Sequence, residues 1–242
     1  MRKSNSVRDI FNHKAQSWSM KYAPGGPLAK RLQYFHESLN KTTLPPAKIL
    51  DFGCGTGNLA LYLSQRGYQT TACDIAEEML KMAIEADYSG KVDWQLLSPR
   101  WQALPFEDEA FDAIIASSTF EYLESVELAI AECSRILRPN GTLAITVPNP
   151  QCPTRMKEER LRKLIESFSR YLELIPKVGR YVSYLKLSQN RFYQDEWSDL
   201  GKHSGLMLDH ELSKEVQSSS GESTLLLLSF KKIVPVQRCI AA

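Results

Sequence analysis

The stretch Ile49-Leu50-Asp51-Phe52-Gly53-Cys54-Gly55-Thr56-Gly57 constrains this chain more than any other. A short apolar run bounded by glycines reads as a buried strand. Three glycines at alternate positions then give a turn whose backbone can approach a ligand, because no Cβ intrudes. A helical pattern opens directly after it, with Leu59 and Leu63 on one face. Strand, glycine turn and helix together form the entry to a nucleotide-binding sheet. The spacing narrows the ligand. A P-loop needs a Lys after its last glycine, and Gly57 is followed by Asn58. A dinucleotide turn needs Gly or Ala at the sixth place, where Asn58 again stands. No cation lies nearby in sequence to neutralise a pyrophosphate. The turn therefore suits a ligand with a ribose and an amino group but no phosphate. Asp74, at the end of the next strand pattern, stands where a carboxylate accepts both ribose hydroxyls.

The rest of the chain supports an α/β fold. Strand patterns at 49–52, 69–74, 92–97, 111–117 and 142–147 alternate with helical patterns at 58–66, 76–86 and 125–137. Gly67 and Pro139-Asn140-Gly141 read as stops. Residues 5–40 look helical, with a break at Pro24-Gly25-Gly26-Pro27, and residues 154–190 look like a helical insertion. A short helix at 197–203 precedes strands at 206–216 and 224–231 around a Ser218–Gly221 turn. The expected architecture is a Rossmann-like, mostly parallel sheet with helices on both faces. The terminal hairpin adds an antiparallel strand.

Four segments carry the resemblance to a known family: "ILDFGCGTGNLALYL", "TTACDIAEEML", "LPFEDEAFDAIIASSTFEYL" and "RILRPNGTLAITVPN". They resemble class I S-adenosylmethionine-dependent methyltransferases, in the small-molecule subgroup with ubiquinone and menaquinone methylases and natural-product (polyketide-type) O-methyltransferases. The resemblance is strong over about residues 45–150, and "FNHKAQSW" is similar to the family's N-terminal helix. It implies a seven-stranded sheet with an antiparallel last strand and S-adenosylmethionine as cofactor. It implies one methyltransferase domain over 1–242: a helical lid at 1–41, a cofactor-binding core at 42–150, a lid insertion at 151–195, and a C-terminal helix and hairpin at 196–242. By the same resemblance Gly53, Gly55 and Gly57 line the cofactor, Asp51 lies near its amino group, and Asp74 holds the ribose. Ile75 flanks the adenine, Ser117 lies under the sulfur, and Arg31 meets the cofactor carboxylate. Tyr22 joins the cofactor wall. One departure is visible: Arg100-Trp101 replaces an Asp-Ala pair, so Trp101 is expected against the adenine without a carboxylate bond.

A methyl on a sulfonium is already activated, so the protein's tasks are alignment and exclusion of water. A hydroxyl acceptor also gains from a general base. His13, on the expected lid helix, is the first choice because imidazole titrates near neutral pH. Glu121 and Tyr122 stand where relatives often have Glu-His, and Glu121 would orient the imidazole. Trp18, Tyr22, Phe35, Tyr181, Tyr184, Phe192 and Tyr193 could form an apolar lid over the acceptor.

Composition bounds the partners. The chain has 242 residues, 43% apolar and 24% charged, ordinary for a globular domain and long enough to bury a core without staples. No apolar run approaches the ~20 residues of a membrane span, and Met1–Asn5 is not a signal-peptide start. The five scattered cysteines contain no Cys-x-x-Cys pair, which argues for reduced thiols, a cytoplasmic location and no bound metal. The net charge of +2 divides into +6 over 1–41, −8 over 42–154, +6 over 155–191 and −2 over 192–242. Two basic segments thus flank an acidic middle, a rim that could attract an acidic partner. The expected function is O-methylation of a small molecule, free or tethered to an acyl carrier protein, with the chain alone or within a larger synthase. C- or N-methylation of a quinone-like or amine molecule is the alternative. A pI near 8.2 without an added basic module argues against tRNA methylation. The intact glycines and Asp74 argue against a non-catalytic scaffold.

Overall fold

The computed structural model describes residues 3–165, 176–217 and 221–233. Helix α1 (Lys3–Trp18) leads through a 3-10 turn (Ser19–Tyr22) to α2 (Ala29–Asn40). Then follow β1 (Lys48–Phe52), α3 (Asn58–Ser64), β2 (Gln69–Asp74), α4 (Glu77–Ala86), β3 (Asp93–Leu96) and β4 (Phe111–Ser117). A 3-10 turn (Phe120–Tyr122) precedes α5 (Val126–Ile136) and β5 (Leu137–Pro148). The rest is α6 (Pro153–Ile165), α7 (Pro176–Leu187), α8 (Gln194–His203), β6 (Leu206–Val216) and β7 (Leu225–Lys232).

Seven strands form one sheet in the order β3-β2-β1-β4-β5-β7-β6. The pairs among β1 to β5 are parallel, and β7 runs antiparallel between β5 and β6. The expected alternating fold with an antiparallel last strand is present. The strand order reverses between β1 and β4, and an open sheet binds ligands at such a switch point, beyond its carboxyl ends.

Side chains alternate across the strands. Ile49, Ala113 and Ile115 pack on one face with Phe35 and Leu39 of α2 and Leu59 and Leu63 of α3. Leu50, Ile114 and Ala116 pack on the other with Ile130 of α5 and Trp197 of α8. Both faces of β1 and β4 are therefore dry, which is why these segments read as unbroken apolar runs.

Two boundaries differ from the sequence expectation. Pro139-Asn140-Gly141 does not stop the chain before a strand. It lies inside β5, which begins at Leu137 and shifts register against β4 between Phe111 and Ala113. Asn140 takes a φ of +62° to absorb the bulge. Helix α8 begins at Gln194, three residues early, because Glu196 accepts the Tyr193 N–H at 2.6 Å and caps it. The α6–α7 insertion is helical at 153–165 and 176–187, and its middle lies outside the described residues. So do most of the Ser218–Gly221 turn and Cys239. Among the described residues, four cysteines are free, no His, Cys, Asp and Glu cluster could hold a metal, and no helix is long and apolar enough to cross a membrane.

Candidate active site

The carboxyl ends of β1, β2 and β4 open into a cavity of about 410 Å³, capped by α1, α2 and the α6–α7 insertion. That volume is enough for a small cofactor-sized ligand. Its floor is the glycine turn. The Gly53 and Cys54 N–H groups donate to the Cys73 carbonyl at 2.8 and 3.0 Å, which ties the turn to β2. Asp74 holds the turn from beneath: Oδ2 accepts the Gly55 N–H and Oδ1 accepts the Ala76 N–H, both at 2.8 Å. Gly53 has a φ of +75°, and a Cβ there would fall 2.3 Å from Thr119 Oγ1. Gly55 has a φ of +55° with the indole of Trp18 above it.

Asp51 stands next to this turn. It is 1% exposed, lines the cavity, and its Oδ2 has no hydrogen-bond partner. Burial first, and then the charge of Asp74, pushes its carboxyl up to about 8. A backbone hydrogen bond from Ala60 offsets this only in part, so the acid is held protonated until a cation or a further donor arrives beside Oδ2.

The turn after β4 faces the glycine turn. Ser118 adopts a φ of +57°, and its N–H donates to Thr146 Oγ1 at 2.9 Å. Arg31 reaches across from α2 and donates to Ser117 Oγ at 3.2 Å and Ser118 Oγ at 2.9 Å. The half-buried Tyr22 phenol, its pKa raised by desolvation, lies against the same Arg31 and Ser117. Glu121 is 3% exposed, lines the cavity and accepts a short hydrogen bond from Ser188 Oγ. Burial raises its pKa, partly offset by Ser188 and by Arg155, Arg31 and Arg191. Tyr122 lines the cavity with its ring edge-on to Phe11, 5.2 Å between centroids. Ile75, Leu97 and Trp101 make an apolar wall, and Trp101 lies edge-on to Phe52 at 5.8 Å.

Of the residues singled out by sequence, Asp51, Gly53, Gly55, Asp74, Ile75, Trp101, Ser117, Tyr22, Arg31, Glu121 and Tyr122 meet in this one cavity. Two do not. Gly57 caps α3 away from the cavity, where a Cβ would fall 2.5 Å from Trp94 and 2.8 Å from Ala83. Its role is to bring α3 and α4 close to the sheet. His13 is exposed, because α1 turns Val7, Phe11 and Trp18 inward and His13 to the opposite side. Neither His36 nor His203 nor His210 lines the cavity, so the histidine base paired with Glu121 is not formed. The aromatic lid is smaller than expected. Trp18, Tyr22 and Tyr184 face the cavity, Phe35 is core, and Phe192 packs on Trp197. Tyr181 stacks on the outside of Tyr184, and Tyr193 is half exposed.

Sequence reasoning did not single out two cavity residues, Lys21 and Arg155. Lys21 lies 3.7 Å over the Trp18 ring. Arg155 of α6 and Tyr184 of α7 form a hydrogen-bonded pair in the wall. The net charge of +6 over 155–191 was the signal for Arg155, but nothing in the sequence distinguished it from its neighbours.

Comparison with known proteins agrees with this geometry. Residues 50–145 match the family model described as a methyltransferase domain. A malonyl-[acyl-carrier protein] O-methyltransferase of Methylococcus capsulatus is 38% identical over 105 residues, covering 42% of this chain and 38% of that protein. A ubiquinone biosynthesis O-methyltransferase of Xanthomonas campestris is 31% identical over 147 residues, covering 58% of this chain and 60% of that one. The chain thus spans less than two thirds of the length of the curated relatives it matches. A solved SAM-dependent methyltransferase of Thermotoga maritima shares the fold, with a TM-score of 0.62 over 93% of this chain and 99% of that one at 20% identity.

Proposed function

We propose that this chain, whose residues 50–145 match a methyltransferase domain, is a class I S-adenosylmethionine-dependent methyltransferase that transfers a methyl group to an oxygen of a small molecule, free or tethered to an acyl carrier protein. The observation that carries the reading is Asp51 Oδ2: a buried carboxylate oxygen, without a partner, beside a glycine turn. An ammonium group satisfies such an atom, and a nucleoside amino acid supplies one. Asp74 keeps acceptor capacity beyond its backbone bonds, since a carboxylate offers about four lone-pair sites. It is the residue to hold a ribose. Ile75, Leu97 and Trp101 would enclose an adenine. Arg31, already beside Ser117 and Ser118, would meet a carboxylate.

When bound, S-adenosylmethionine supplies a methyl group activated by its sulfonium. The chain's own contribution is placement. Trp18, Tyr22 and Tyr122 keep water from the centre, which strengthens the electrostatics inside. Arg31 and the turn after β4 orient the two reactants. Where the acceptor is a hydroxyl, Glu121 is the side chain to take its proton. It is buried, its pKa is raised, and a raised carboxyl is a better base near neutral pH. The relatives named for a carrier-bound acyl group and for ubiquinone biosynthesis support an oxygen acceptor. The basic segments at 1–41 and 155–191 support an acidic carrier. The test is transfer of labelled methyl from S-adenosylmethionine to one acceptor offered free and carrier-bound. Faster turnover of the carrier-bound form supports delivery by a carrier, and equal turnover rejects it. Absence of S-adenosylhomocysteine binding rejects the cofactor.

A further inference from the structure

The wall of the cavity away from Asp51 and Asp74 holds more positive charge than its own carboxylates answer. Lys21, Arg31 and Arg155 all line it. Lys14 stands close enough to Glu121 and Lys21 to interact with both. Lys21 makes no ion pair among the described residues; its ammonium rests on the Trp18 ring. Arg31 donates to the hydroxyl oxygens of Ser117 and Ser118, not to a carboxylate. Arg155 pairs through Nη1 with Glu158 at 2.9 Å and also donates from Nη1 to the Tyr184 hydroxyl. Its Nη2 makes no hydrogen bond among the described residues. Tyr184 accepts from Arg155, so its own O–H remains to be donated. On the anionic side, Glu158 is shared between Arg155 and Arg191, the latter at 3.0 Å. Glu121 already takes the Ser188 hydroxyl, and Glu124 has contacts of its own at the rim.

Arg31 and Arg155 are answered only in part, by Glu121 and Glu158, and Lys21 by no ion pair among the described residues; such cations in a half-buried site raise the local potential and draw in an anion. A bound nucleoside amino acid brings one carboxylate, and Arg31 answers it. Arg155 Nη2 and the Tyr184 O–H are then left side by side, two donors from one wall, with Lys21 and Lys14 adding to the field. A planar guanidinium edge beside a hydroxyl matches the two oxygens of a carboxylate. We propose that the methyl acceptor carries a carboxylate and that Arg155 and Tyr184 hold it. This rests on the methyltransferase reading for the place of the cofactor, and it adds the acceptor's chemical class.

The test is calorimetric and needs no turnover. S-adenosylhomocysteine is titrated first. With the protein saturated, malonate, succinate and glutarate are each titrated against their own diamides. The proposal predicts that at least one diacid binds tenfold or more tightly than its diamide. Arg155→Met removes that preference, and Tyr184→Phe cuts it at least threefold, while affinity for S-adenosylhomocysteine stays within about twofold. Tyr184→Phe keeps the ring that stacks on Tyr181, so it decides the matter if Arg155→Met does not fold. Equal binding of every diacid and diamide, no binding of any diacid, or a preference that survives both variants overturns the proposal. Failure of the first titration strikes the cofactor reading instead, so the two failures are told apart.

Discussion

Asp74 binds the backbone N–H groups of Gly55 and Ala76 with its two carboxylate oxygens, whereas Asp51 beside it keeps Oδ2 buried and without a partner. One acid builds the floor of the site and the other is left with an unmet need. Their mutual repulsion adds to burial in raising Asp51. A folded-state pKa of about 8 lies above that of the unfolded chain. The folded protein therefore holds a proton that the unfolded chain loses near pH 4, so stability falls as pH rises from about 4 to 8 and levels off above. Asp51→Asn removes this slope. In ligand-free protein its melting temperature at pH 8 exceeds the wild type's, by about 2–4 °C for each kcal/mol relieved. Melting curves at pH 5 and pH 8 for both proteins check it.

Gly55 and Gly57 separate binding from folding. Gly57→Ala forces a Cβ into Trp94 and Ala83 at a φ of +73°. It costs about 2–4 kcal/mol, from overpacking and left-handed strain together. A Cβ at Gly55 meets Trp18 Nε1 only at 3.5 Å, so Gly55→Ala costs about 1–2 kcal/mol but intrudes on the ligand. Chemical denaturation and S-adenosylhomocysteine titration should therefore rank the two variants in opposite orders.

Much of this site is legible in the sequence alone. The glycine turn, Asp51 and Asp74 follow one another within two strand-turn units, and the backbone alone brings them together. Strands β1 and β4 are dry on both faces, so their apolar runs stood out. The start of β5 was not legible, because Pro-Asn-Gly has the chemistry of a stop and here serves as a bulge inside a strand. His13 was misjudged for another reason. A base needs a direction as well as a helix, and packing of Phe11 and Ala15 fixes the rotation of α1 so that His13 faces outward. Arg155 and Tyr184 lie far apart in sequence, and only the packing of α6 on α7 joins them.

Segment 188–190 grips the turn that carries Glu121 and Tyr122. The Asn190 amide donates to the Phe120 carbonyl at 2.8 Å and the Leu123 carbonyl at 2.9 Å, spanning that turn. Asn190→Ala leaves both carbonyls without this donor, at about 1–3 kcal/mol each where water cannot reach them. A lower melting temperature and reduced turnover are expected, with S-adenosylhomocysteine affinity changed less than either.

The outward His13 and the inward Glu121 make opposite predictions. His13→Ala leaves turnover within about twofold of wild type, since the residue does not face the cavity. Glu121→Gln, which can still accept from Ser188, slows methylation of a hydroxyl acceptor about 100-fold. The wild-type rate falls as pH drops through the raised Glu121 pKa, so the acid limb lies above the usual carboxylate range. That limb disappears in the Gln variant. Rate profiles from pH 5 to 9 test both statements.

Titration of S-adenosylhomocysteine into wild-type and Asp51→Asn protein across pH 6 to 9 tests the central claim most directly. An ammonium group needs Asp51 ionised, so wild-type affinity should climb from pH 6 to about 8, with proton uptake by the buffer, and then level off. The Asn variant should bind at least tenfold more weakly at pH 8 and show no such climb. Wild-type affinity that is flat over this range, or an Asn variant that binds as tightly as wild type, would contradict the placement of the cofactor's amino group at Asp51.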